Sequence, residues 1–232
     1  MGSNLIGSIG WGISALITFI IVIWLIRVYL KGKEKTLTYF IGFLGFRFFL
    51  FFSIALAPVV YALTKNLVGA GLCITGLFVS IFISLLFPPL LFSSFQWPRL
   101  KNYYFGLVLI LSLAGIIIAG INFSPAIYFP ETKMVFQPIP DILAKTLYPL
   151  TKILSVLPLA ILFLIYAIKF TGRMKIRSLL MGLGFLWVVT TIIVPTLIPI
   201  PWAGMYCCIG DILIFAGVMV RMPEPERVPK VE

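Results

Sequence analysis

Seven long apolar runs are separated by short polar joints, and Lys and Arg gather in every second joint; this pattern constrains the chain more than any other feature. A hydrocarbon core of about 30 Å is crossed by roughly 20 apolar residues in a helix. Runs of that kind lie near Trp11–Tyr29, Tyr39–Leu63, Leu72–Phe92, Tyr104–Ile121, Leu147–Phe170, Leu179–Ile198 and Ala203–Val220. Lipid offers the backbone no hydrogen-bond partners, so only helices and closed barrels span it. Barrel strands alternate apolar and polar residues over about ten positions, and no stretch here does so. The expected fold is an all-α integral membrane protein, a seven-transmembrane-helix bundle forming one domain over residues 1–221.

Soluble chains are about half apolar and one quarter charged, whereas this one is 61% hydrophobic and 11% charged. Its net charge of +11 would suit nucleic acid in a soluble protein, but the basic residues stand beside helix ends, where the positive-inside rule accounts for them. No nucleic-acid partner is expected; the partner is the lipid bilayer of the cell membrane. The first joint carries Arg27, Lys31, Lys33 and Lys35, the third Arg99 and Lys101, and the fifth Lys169, Arg173, Lys175 and Arg177. These joints read as cytoplasmic, which sets the N-terminus outside and the C-terminus inside. The first run exceeds a signal-peptide core and has no basic segment ahead of it, so it is expected to remain as an anchor. Residues 222–232, rich in Pro and charge, read as a disordered cytoplasmic tail.

Cys73, Cys207 and Cys208 all fall in apolar runs, where a thiol behaves as a small hydrophobe. The chain has no His, which removes the usual neutral-pH general base and most zinc sites. No cofactor and no metal are expected. Sparse Asn and Gln agree with a thermophilic source.

At a shift of 140 residues, Gly32 matches Gly172, Lys33 matches Arg173, Lys35 matches Lys175 and Gly42 matches Gly182. Two parallel three-helix repeats, residues 5–92 and 147–220, joined by a linker helix over 104–121, would give this echo. Chance recurrence in a sequence of few letters gives it equally well. Cys73, Gly76, Ser80 and Ser84 form a small-residue stripe, and Gly115 and Ala119 repeat the spacing; such stripes let membrane helices approach closely. Pro58, Pro88, Pro89, Pro158 and Pro195 lie at membrane depth, and each leaves a carbonyl without its helical donor. Residues 122–146 read as an external cap, with Asp141 placed to N-cap the fifth helix.

Arg47 and Asp211 are the ionisable residues expected well inside the spans, at overlapping depth. Intramembrane charges are costly and usually pair inside the bundle or line water. The pair is either a permanent structural lock or part of a ligand, ion or gating site. Cys207 shares a face with Asp211, Tyr206 stands nearer the outside, and Thr190 and Thr191 are further candidates to line polar space. Lys152 is expected to share a face with Lys145 and snorkel to the outer surface. No lysine lies at the middle of the last run, which excludes the retinal attachment of microbial rhodopsins.

No metal motif, nucleophile elbow, phosphate loop or acid pair occurs, so no enzymatic activity is expected. Two readings remain. The first is a small-solute or ion transporter or channel-like protein with a midplane polar site. Its layout is similar to that of the sugar and vitamin transporters built as three-plus-one-plus-three helices. The Pro-Gln loop pair of the sugar transporters is absent, so the likeness carries over no site residue. The second is a seven-helix receptor or sensor module, or a non-catalytic subunit of a membrane complex. That reading calls for a membrane-protein partner, a homo-oligomer or a separate cytoplasmic partner.

Overall fold

The computed structural model describes residues 2–95, 101–130, 134–191 and 200–220. Its elements are β1 (Gly2–Asn4), α1 (Leu5–Gly32), α2 (Lys35–Thr64), α3 (Leu67–Ser84), α4 (Phe87–Phe95), α5 (Lys101–Ile121), β2 (Ile127–Phe129) and β3 (Met134–Phe136). A π-helical stretch, Ile142–Leu147, then leads into α6 (Tyr148–Lys169), α7 (Gly172–Thr190) and α8 (Ile200–Met219).

Among the described residues, six helical segments are long and apolar enough to cross a membrane: Gly7–Gly32, Lys35–Thr64, Leu67–Ser94, Asn102–Ile121, Ile142–Lys169 and Trp202–Met219. Large apolar side chains such as Leu16, Ile110 and Ile168 are 59%, 67% and 84% exposed on their outer faces. Soluble surfaces avoid apolar patches on that scale, whereas lipid covers them without cost. The protein is a multi-pass, membrane-embedded helical protein. The expected run Leu179–Ile198 coincides with α7 as far as Thr190, with Thr191 as its C-cap; residues 192–199, with Pro195, lie outside the described residues, as do 221–232.

Helices α1, α2 and α3 pack in sequence, α6, α7 and α8 do the same, and α1 closes against α8, while α4 bridges α2 to α6. Phe40, Phe43, Phe163 and Phe185 fill the centre, with the rings of Phe163 and Phe185 stacked at 6.0 Å. Helices α7 and α8 come close at Gly184 and Gly210, where a Cβ on either glycine would fall 2.9 to 3.0 Å from the carbonyl oxygen of the other. Small residues let membrane helices meet backbone to backbone in this way. The predicted small-residue stripe of α3 packs within the chain: Ser80 and Ser84 are buried, Gly76 lies by Ser53 of α2, and Gly115 of α5 receives the Phe82 ring.

The third expected run is two helices rather than one. Pro88 and Pro89 start α4 after a turn at Leu85 and Leu86, because proline cannot supply the N–H that residues four earlier need. The freed carbonyl of Leu85 accepts the Ser155 hydroxyl of α6 at 2.5 Å. Pro158 inside α6 likewise frees Leu154, whose carbonyl accepts the Tyr104 hydroxyl of α5 at 2.7 Å. Each of these defects is thus repaired by a hydroxyl from a neighbouring helix.

The cap differs from an all-helical expectation. Strand β3 pairs antiparallel with β2 and, on its other edge, with β1, so Ser3 stands opposite Val135 and the N-terminal residues are stitched to the cap. Gln137 holds this layer to α3 by donating to Thr75 Oγ1 and the Ser124 carbonyl. Strands of three residues are too short to show alternation. Asp141 does not cap the helix through its side chain; its carboxylate is exposed and pairs with Lys145 at 2.8 Å.

Candidate functional site

Three charged side chains are buried among the described residues: Arg47 at 4%, Lys152 at 3% and Asp211 at 0% exposure. Arg47 projects from α2 and donates Nε to Asp211 Oδ1 of α8 at 2.5 Å. Its Nη2 donates to the Cys207 carbonyl at 3.1 Å. The second carboxylate oxygen, Oδ2, accepts the Thr18 hydroxyl of α1 at 3.3 Å. The guanidinium lies over Phe43 and Phe51, 5.6 and 5.2 Å from their ring centres. A charge taken out of water needs this degree of compensation, since the desolvation cost amounts to several kcal/mol per ion. The overlapping depth expected of Arg47 and Asp211 is what allows them to meet.

The same core holds Lys152, which corrects the expectation that it snorkels to the surface. Its Nζ donates to Thr191 Oγ1, just past the end of α7, at 2.5 Å and to Tyr148 Oη at 2.8 Å, with the ammonium 5.0 Å from the Tyr148 ring centre. The physical reason is twofold. The helix begins at Ile142, where an N-cap at Asp141 would start it, so Lys152 is ten residues in and about 15 Å along the helix rather than at its end. The π-helical stretch Ile142–Leu147 also adds backbone relative to an α-helix. Counting seven residues from Lys145 therefore no longer returns to the same face. Lys145 is exposed and Lys152 is buried.

Thr191 closes this second group by donating to the Val188 carbonyl at 2.8 Å. Lys152 interacts electrostatically with Arg47, Cys207 and Asp211, so the groups form one polar neighbourhood contributed by α1, α2, α6, α7 and α8. Thr190 and Tyr206 belong to a different contact. Thr190 Oγ1 and Tyr206 Oη are 3.1 Å apart, Trp187 Nε1 donates to the Tyr206 carbonyl at 2.8 Å, and the Trp187 and Tyr206 rings lie 4.6 Å apart. This is a clasp between α7 and α8 with no direct hydrogen bond to the ion pair.

Sequence reasoning places Lys152 at the surface and does not single out Tyr148 or Thr18. A signal was present in Tyr148, Thr151, Lys152 and Ser155, which recur at helical spacing along an otherwise apolar run. Among the described residues no three His, Cys, Asp or Glu side chains come together as metal ligands would. What the arrangement does chemically is hold charge and offer hydrogen-bond donors inside the membrane. Comparison with protein-family models, curated proteins and solved structures gave no match to this chain.

Proposed function

We propose that the protein is a small-solute or ion transporter, or a channel-like protein, of the cell membrane, and that the polar neighbourhood of Arg47, Asp211 and Lys152 is its solute site. The observation that carries this reading is the buried Arg47–Asp211 pair, because it links helices of two sequentially packed groups, α1–α3 and α6–α8. Transporters built from parallel repeats place their solute site between the repeats near the midplane and work by rocking one against the other. A solute that competes for Arg47 or Asp211 would loosen the bridge between the groups. Binding would thereby be coupled to motion. On this reading the chain crosses seven times, with the cap and N-terminus outside, and it performs no covalent chemistry.

One observation favours a receptor or complex subunit instead. An apolar groove of about 770 Å³ between α1 and α2 is lined in part by Ser8, Gly12, Ala15 and Ala55, residues small enough for another helix to approach. Reconstitution into vesicles discriminates the two. The transporter reading expects saturable uptake of at least one compound from a metabolite and ion panel, abolished in Arg47→Gln. No uptake by the wild type, together with co-purification of a stoichiometric membrane partner, would favour the subunit.

A further inference from the structure

The buried charges do not balance. Among the described residues the core holds two cations, Arg47 and Lys152, against one carboxylate, Asp211. That carboxylate is committed to Arg47 on one oxygen and to Thr18 on the other. The hydrogen-bond partners of Lys152 are the neutral hydroxyls of Thr191 and Tyr148, and Thr191 spends its own proton on the Val188 carbonyl. A guanidinium offers five N–H donors and an ammonium three. Two donor groups of Arg47 and two bonds of Lys152 face protein atoms, which leaves positive donors on both. An uncompensated buried cation is among the most expensive features a membrane helix can carry, and its cost falls when an anion sits beside it.

We infer that this cluster is an anion site, in which Lys152 and Arg47 together hold a small monovalent anion, either a halide or nitrate or the carboxylate of a small organic acid. The inference rests on the solute-site reading and supplies its substrate class. Lys152 provides the charge that Asp211 does not neutralise. Arg47, anchored by Asp211 and the Cys207 carbonyl, has N–H donors beyond those two bonds. Tyr148 and Thr191 fix the ammonium in place. Phe43 and Phe51 flank the guanidinium, and the buried setting strengthens each charged contact. Small size follows from the close packing of this core around Phe185, Phe163 and Phe40. Asp211 acts against dianions, since a second negative charge would meet its carboxylate.

The test is the thermal stability of the purified protein in potassium nitrate, chloride, acetate and lactate, each against potassium gluconate at equal potassium concentration. At about one hundred times Kd, a bound anion raises Tm by roughly 5–10 °C for a chain of this size. The expected result is a saturable rise of that order with at least one small anion, retained in Lys152→Arg and lost in Lys152→Met. Nitrate or chloride giving the rise identifies an inorganic anion, and acetate or lactate an organic acid. Equal Tm in every salt, or an unchanged anion response in Lys152→Met, overturns the inference. If neither variant folds, equilibrium binding of radiolabelled chloride and acetate to the wild type decides the matter, and no saturable binding of either overturns it. With neutral metabolites and sodium, magnesium and ammonium gluconates added to the same melts, stabilisation of the wild type by one of these and by none of the anions would overturn the anion class while sparing the solute site.

Discussion

Arg47 on α2 and Asp211 on α8, separated by 164 positions in sequence, meet at 2.5 Å with both side chains out of solvent. Neither charge is tolerable alone. Asp211→Asn is expected to destabilise the protein by about 3 kcal/mol, because the guanidinium loses its counter-charge in a dry setting. Adding Arg47→Gln should recover part of that loss. Thermal or denaturant unfolding of the single and double variants in detergent measures the coupling, and strictly additive penalties would refute it.

The Tyr104 hydroxyl repairs the carbonyl that Pro158 strands at Leu154. Tyr104→Phe is expected to cost about 1–2 kcal/mol, the penalty of a buried acceptor left unmade. Pro158→Ala returns a helical N–H to that carbonyl, so Tyr104→Phe made on top of Pro158→Ala should cost less than half as much. Equal costs in the two backgrounds would show that the hydroxyl contributes through its other acceptor, the Ser155 carbonyl at 3.0 Å, rather than through Leu154.

Close approach of α7 to α8 depends on Gly184 and Gly210 having no side chain. Gly184→Leu and Gly210→Leu should each prevent a monodisperse protein, since the obstacle is backbone that cannot step aside. Gly45→Leu and Gly106→Leu, where no atom lies within 4 Å of the added Cβ, are the controls and should behave as wild type on size-exclusion chromatography.

Thr191→Val removes an acceptor from Lys152 and should cost about 1–3 kcal/mol. In a Lys152→Met background the same change should be close to neutral, because the buried donor has gone. A full penalty in both backgrounds would mean that Thr191 matters for the packing of α7 rather than for the amine.

Different parts of this architecture were legible to different degrees, for physical reasons. Helix placement follows from the length of each apolar run, because lipid dictates that length and leaves few alternatives. The meeting of Arg47 and Asp211 was also readable, since a charge inside an apolar run seeks its opposite at the same depth. Lys152 was not, because its facing depends on a π-helical stretch that no residue type announces. The prolines reveal which carbonyls are stranded, but naming Ser155 and Tyr104 as their donors requires the packing of neighbouring helices. Strands β1, β2 and β3 escaped because pairing over three residues depends on partners distant in sequence, Ser3 with Val135 above all. The intimacy of Gly184 and Gly210 is equally silent, because glycines such as Gly45 and Gly106, in equally apolar helices, face open space.

The most direct test of a solute site at this cluster is the melting temperature of wild type and Asp211→Asn across a broad panel of ions and metabolites. A site built on Arg47, Asp211 and Lys152 requires selective, saturable stabilisation of the wild type by at least one compound and a changed response in Asp211→Asn, stronger for an anion and weaker for a cation. A flat response of the wild type to the whole panel, or an identical response in both forms, would contradict it and leave the charges as a lock between helices.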